Sequence, residues 1–168
     1  MRNSLEMKGE TMNDQVVYTS KARIERVKGP LRRAYLPETE SPVLFGVHSE
    51  IAEHYGVDPD VHAPQATTLD YVVASAAGWL TGTFGSALEA RKIPAGDGVL
   101  ISEAKGEIEK DGNVLVIKRI HVVYHLKLKP EQRETAEKVH GFHADFCPVA
   151  RTIKGCVEIT TELQMAES

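Results

Sequence analysis

Residues 146–156 read FCPVARTIKGC and hold both cysteines of the 168-residue chain, Cys147 and Cys156. Two thiols so placed can form a redox device, part of a metal site, or ordinary packing. What the chain builds around them decides between these. Pro148 suits the first turn of a short helix, where its missing N–H costs nothing, and Gly155 suits the position just past the helix end. Cys147 then falls at or near the N-cap. Free backbone N–H groups and the positive end of the helix dipole favour a thiolate there. The plainer role for Cys147 is to cap the turn and pack beside Phe146. Cys156 opens a closing strand, CVEITTELQM, on the face that carries Glu158, Thr160 and Glu162. Val157, Ile159, Leu163 and Met165 occupy the other face.

Working back along the chain, PEQRETAEKVHGFHADF (130–146) reads as a helix with Pro130 in its first turn and an apolar stripe of Ala136, Val139, Phe142 and Phe146. His140, His143 and Cys147 are spaced three and four apart, and both residue types are good zinc ligands. A fourth ligand is not evident, and Gly141 and Pro148 interrupt the face. His48, His54 and His62, with Asp58 and Asp60, lie in loop-like sequence at no diagnostic spacing. The chain is therefore expected to hold no metal or cofactor. Upstream again, VLISEAKGEIEK and NVLVIKRIHVVYHLKL flank Asp111-Gly112, which predicts a hairpin. Its second arm is long for a strand and should twist or bend. Val114, Val116, Ile120, Val122, Tyr124, Leu126 and Leu128 are expected on one face.

The stretch YVVASAAGWLTGTFGSAL (71–88) contains no charge, yet it is too rich in Ala, Gly, Ser and Thr for a membrane span. It predicts a buried helix. Thr67 and Asp70 form a capping box at its start, Arg91 and Lys92 suit the negative end of its dipole, and Pro94 stops it. Gly78 and Gly82, like Ser75 and Trp79, are four apart, so small residues line part of one face and let another backbone approach. That neighbour is either the chain's own domain or a second copy. Before this helix, VVYTSKARIERV, LRRAYLP and PVLFGVHSEI read as strands, KGP as a turn, and YGVDPDVHAPQATT as a loop.

Composition bounds the rest. Apolar residues make up 42% of the chain and the formal net charge is −4 with no basic stripe, which disfavours nucleic-acid binding. The polar start, MRNSLEMKGETMNDQ, is not a secretory signal. The expectation is a cytoplasmic α+β protein with a loose arm over residues 1–14, a single domain over 15–168, and no membrane partner.

Taken together, FCPVARTIKGCVEITTEL, the helix TTLDYVVASAAGWLTGTFGSALEARKI and the order of elements between them resemble the OsmC/Ohr family, over roughly residues 15–165. The resemblance implies an α+β fold with a long central helix and antiparallel sheets, built as an intertwined homodimer. It also implies thiol-dependent reduction of organic hydroperoxides. In such proteins a central-helix cysteine attacks the peroxide and the cysteine of a Cys-Pro motif resolves it. A carboxylate at the helix start and an N-terminal arginine assist. On this chain Cys147 matches the resolving cysteine and Asp70 falls near the carboxylate. Arg23, Arg26, Arg32 and Arg33 are candidates for the arginine. The attacking position is Trp79. Indole forms no thiolate, and no other cysteine precedes Cys147, so the two-cysteine cycle is expected to be absent. Three readings follow. The first is an OsmC-like dimer binding a small apolar molecule at its interface, lined by Trp79, where that ring could equally be core filling. The second is a single-thiol peroxidase acting through Cys147 on organic hydroperoxide. The third is a metal-binding or structural protein.

Overall fold

The computed structural model describes residues 16–168; the expected N-terminal arm, 1–14, lies outside them. Two three-stranded sheets, four α-helices and two single-turn 3-10 helices make up the described chain. Strands β1 (Arg23–Lys28), β2 (Leu31–Tyr35) and β3 (Val43–Phe45) form an antiparallel meander that turns at Gly29-Pro30. The third strand candidate stops early. Its last three residues, 49–51, instead open a short helix, α1 (Ser49–His54), whose buried residue is Ala52. A loop then leads to α2 (Thr68–Glu89).

Thr67 caps α2 as its sequence predicts. Thr67 Oγ1 accepts the Asp70 N–H at 3.1 Å, and Asp70 Oδ2 accepts the Thr67 N–H at 2.6 Å. At the other end Arg91 donates to the Ala87 carbonyl at 2.9 Å, satisfying a carbonyl the helix leaves open. Leu80, Phe84 and Leu88 recur at helical spacing and are fully buried. They meet Ile120, Val122, Tyr124 and Leu126 from the second sheet, together with Ala136 and Val139. Each large side chain so buried contributes about 1.5–3 kcal/mol.

That sheet comprises β4 (Leu100–Asp111), β5 (Val114–Leu128) and β6 (Glu158–Glu167). The predicted hairpin is present, but its loop is Gly112-Asn113, one residue later than expected, with Gly112 at φ +60°. The long arm does bend. Glu107 pairs with Arg119 and Ile108 with Ile117, so Lys118 is an extra residue in β5. The bulge reverses the alternation. Ile117 turns toward the core, while Val114 is 58% exposed and, with Val116, leaves the face of Ile120–Leu128. The expectation of antiparallel sheets also needs correction. β6 runs parallel to β5, from Arg119↔Glu158 to Leu128↔Glu167. The reason is the connection: α3 (Arg133–His143) and α4 (Pro148–Ile153) carry the chain back over the sheet, as a parallel crossover requires. Cys156 lies in the turn before β6 rather than in the strand.

Close packing of α2 on β4 rests on one glycine. A Cβ on Gly106 would collide with Val73 Cγ2, a stiff branched side chain on α2. Gly106→Ala should therefore cost about 1–3 kcal/mol in urea unfolding, and Val73→Ala in the same chain should recover part of it. An unchanged urea midpoint in the single variant would show that the helix and sheet are not so closely apposed.

Candidate functional site

Cys147 is the N-cap of α4, as its sequence predicts: its Sγ accepts the Ala150 N–H at 3.4 Å and Pro148 occupies the first turn. The thiol is fully buried, within the core formed by α2, β5 and α3. Phe146 next to it is 68% exposed and edge-on to Phe142, so the pair does not pack side by side on one surface. Beside Cys147 lies a small polar cluster set in the core. Tyr124 Oη is 2.9 Å from His143 Nε2, and His143 Nδ1 is 2.8 Å from the His140 carbonyl. The carbonyl can only accept, so Nδ1 carries the proton and Nε2 accepts from the tyrosine. Burial holds the Tyr124 hydroxyl well above the usual phenol range, with the nearby Cys147 sulfur adding to the shift. Burial likewise pushes His140 and His143 down, keeping both imidazoles neutral. The two rings stack at 5.3 Å.

These histidines do not form the metal site that their spacing suggested. Both His143 nitrogens are engaged, and among the described residues no group of His, Cys, Asp or Glu could hold a metal ion. His140 Nε2 is buried without a partner among the described residues.

Trp79 stands elsewhere. It is 54% exposed, so it does not fill the chain's own core, and of the two neighbours left open for this helix face the chain's own domain does not cover it. The side of α2 away from the sheet shows Val72, Ser75, Gly78, Trp79, Gly82 and Ser86 to the outside, with no charge among them. Around Trp79 an open depression of about 680 Å³ is lined by Gly78, Gly82, Thr83, Ser86 and Ala87. Nothing lies within 4 Å of where a Cβ on Gly78 or Gly82 would be, so bare backbone is presented on both sides of the indole.

Asp70 is about two and a half turns from Trp79 and therefore on the other side of α2. Its Oδ2 accepts from the Thr67 amide, from Thr67 Oγ1 at 2.8 Å and from His48 Nε2 at 2.9 Å. Burial raises the pKa of this carboxyl, but the bonds from His48 and Thr67 outweigh it and the net shift is downward. Asp70 and His48 line a cavity of about 720 Å³ between α1 and the β4–β5 hairpin. Of the four arginines, Arg32 lines a cleft with Thr67, Thr68 and Leu69 at the start of α2. Arg23 instead lies over the Tyr35 ring, 4.0 Å from its centroid, and 4.0 Å from Glu25. Arg26 and Arg33 stay within the meander, Arg26 opposite Arg32. Within one chain, then, Asp70, Trp79 and Cys147 occupy three separate places. Sequence reading passed over His48 as a partner of Asp70, because 22 residues separate them and only the α1 turn brings the imidazole back to the helix start.

The family profile described as "OsmC-like protein" matches residues 62–162, more than half the chain, including α2, β4, β5 and the Cys147 turn. The chain belongs to the OsmC-like family. A search of the curated proteins finds no significant match. Solved structures agree in fold. The organic hydroperoxide resistance protein OhrB of Bacillus subtilis superposes with a TM-score of 0.62 at 16% identity, over 89% of this chain and 100% of that one. An OsmC-like protein from Mycoplasma pneumoniae gives 0.67 at 10% identity, over 90% and 99%. An organic hydroperoxide resistance protein OsmC from Legionella pneumophila gives 0.60 at 11%, over 89% and 99%. Among the described residues of this OsmC-like chain, no helix is long and apolar enough to cross a membrane.

The buried cluster makes a pH prediction. An unfolded histidine titrates near 6.5, whereas His140 and His143 are held below that in the fold. The unfolded chain therefore binds more protons as pH falls below about 6.5. The stabilisation is complete above that value and declines toward the folded pKa values. Urea midpoints should drop between pH 7.5 and pH 5.5, and His143→Gln should shallow the dependence. Tyr124→Phe, which leaves His143 Nε2 unpaired, should cost about 1–3 kcal/mol at pH 7.5. A pH-independent midpoint over this range would contradict the assignment of neutral imidazoles.

Proposed function

We propose that this chain is an OsmC-like protein that works as an intertwined homodimer, lacks the two-cysteine peroxidase cycle, and binds a small apolar molecule where Trp79 lines the interface. The observation that carries this reading is the uncharged outer stripe of α2, with a half-exposed indole between two glycines. An apolar surface of that kind on a long helix calls for cover. The N-terminal meander supports the same reading. Ala34 is the only residue of β1–β3 that is buried within one chain, and Ile24 and Leu44 are exposed. Such a sheet lacks a core of its own, and a second copy would supply one.

The chemistry follows from what the chain's thiols can reach. The resolving-type cysteine, Cys147, is present and dry, but α2 carries no sulfur to form the sulfenic acid it would resolve. A peroxide at Trp79 meets an aromatic ring, which offers contact area and no nucleophile. A second reading, a single-thiol peroxidase, draws on one feature: the Ala150 N–H aimed at the Cys147 sulfur. Full burial of that sulfur weighs against it, since peroxide must reach the thiolate to be reduced.

In the test, the purified protein is given cumene hydroperoxide with dihydrolipoate as reductant. Consumption should be no faster than with Cys147→Ser. Fast turnover that vanishes in Cys147→Ser would establish the single-thiol reading, and a disulfide formed in each cycle would overturn the loss of the two-cysteine cycle. Light scattering should give twice the mass of one chain, and Trp79→Glu should give monomers. Trp79 is the only tryptophan, so its emission reports on this surface alone. Titration with a long-chain fatty alcohol should shift that emission to shorter wavelength, and an unmoved spectrum at saturation would remove the apolar-ligand reading.

A further inference from the structure

The turn that enters α1 gathers a second set of reactive side chains, remote from Cys147 and Trp79. His48 Nδ1 is 3.1 Å from Ser49 Oγ, and His48 Nε2 is 2.9 Å from Asp70 Oδ2. The direction of both bonds follows from the carboxylate. Asp70 is held ionised by the donors around it, so it can only accept, and Nε2 must carry the imidazole proton. In the neutral ring Nδ1 is then bare and takes its hydrogen bond from the serine hydroxyl. A hydroxyl nucleophile, a base aligned on it and a carboxylate fixing that base's tautomer are the parts of an acyl-transfer site, recognised by geometry rather than by order in the chain.

Three further observations favour chemistry over a chance contact. Ser49 is exposed and sits at φ +48°, a left-handed conformation rare for a residue with a side chain. It does so at a strand-to-helix turn, the kind of place where reactive serines are presented. The carboxylate is itself immobilised by the Thr67 amide and hydroxyl, so the base has a fixed orienting partner. Ser49 and His48 also line a cleft of about 260 Å³ whose other walls are Val47, Ala52, Val57, Pro59 and Pro64, with Glu53 and His62 as further polar residues. Its size and its mainly apolar lining suit a short acyl chain and not a long one.

We propose that Ser49, His48 and Asp70 form an acyl-transfer site that hydrolyses esters of short, apolar carboxylic acids. Ser49 Oγ bonds to the ester carbonyl carbon as its proton passes to His48 Nδ1. The carbon–alkoxy bond then breaks, and His48 returns that proton to the leaving alcohol. Water attacks the acyl-serine next, giving a proton to His48. The Ser49 Oγ–carbon bond breaks, the acid leaves, and the proton goes back to Ser49. The sum is ester plus water to acid plus alcohol, with no oxidant or reductant. Asp70 stays ionised throughout and faces the imidazolium formed in each half. The site is independent of the dimer and ligand reading above, because neither Trp79 nor Cys147 takes part.

The test uses the full chain with p-nitrophenyl butyrate and p-nitrophenyl palmitate, and with an alkyl fluorophosphonate as the covalent probe. Peptide mapping should place one phosphonyl group on Ser49, and His48→Gln should abolish the labelling. Butyrate hydrolysis should exceed palmitate hydrolysis. It should fall about a hundredfold in both Ser49→Gly and His48→Gln, the scale of a lost nucleophile or general base. Ser49→Gly is chosen because glycine accepts the positive φ without strain and should leave the urea midpoint unchanged. Labelling elsewhere with Ser49 unmodified, or hydrolysis retained in Ser49→Gly, would overturn the proposal and leave the reading of Trp79 untouched.

Discussion

The contact on which the rest of the structure depends is the packing of one face of α2 on β5. Leu80, Phe84 and Leu88 lie against Ile120, Val122, Tyr124 and Leu126, all essentially inaccessible to solvent. That contact sets the rotation of α2 about its own axis. Once the Leu80–Phe84–Leu88 face is turned inward, Trp79 and the two glycines must face out and Asp70 must sit at the entrance of the helix beside α1. The bulge at Lys118 serves the same contact, because it restores Ile117 to the core where a straight β5 would have turned it away.

The polar cluster at the edge of this core is a consequence of the same packing. Phe84 meets Tyr124 at 4.8 Å and His143 at 4.9 Å, so the tyrosine and histidine are pressed together in an apolar surround. A hydroxyl or imidazole left unpaired there would carry a full desolvation cost, and the Tyr124–His143 bond offsets it for both at once. The α4 cap closes over this region. Cys147 thus serves two structural ends, covering the core with its side chain and satisfying the Ala150 amide with its sulfur.

Where the sequence was legible, one local rule was enough. The capping box of α2, the proline-started α3 and α4, the hairpin glycine and the apolar face of β6 each follow from residues within a few positions of one another. Three features were not legible, and each for a nonlocal reason. The parallel pairing of β6 depends on the path of α3 and α4 over the sheet. The face reversal in β5 depends on a register set by β4, which no alternation within β5 alone reveals. The helical start of α1, residues 49–51, reads as the end of a strand because six residues are too few for a helical period to declare itself. The site residues divided along the same line. The N-cap position of Cys147 follows from its own proline, whereas the contact of His48 with Asp70, 22 residues on, has no local signal.

The exposed indole of Trp79 makes physical sense only in relation to the glycines beside it. A large ring on a helix exposed to water gains little, and one flanked by side chains would have its contact surface shared with them. Gly78 and Gly82 remove that competition, so both the indole and bare helical backbone are open to the same neighbour. The side chain at position 79 projects from the helix and brings its own apolar area with it. The family scaffold is retained because its core lies on the opposite face of α2. The side chain at position 79 therefore takes no part in the packing of Leu80, Phe84 and Leu88, and the core does not depend on it.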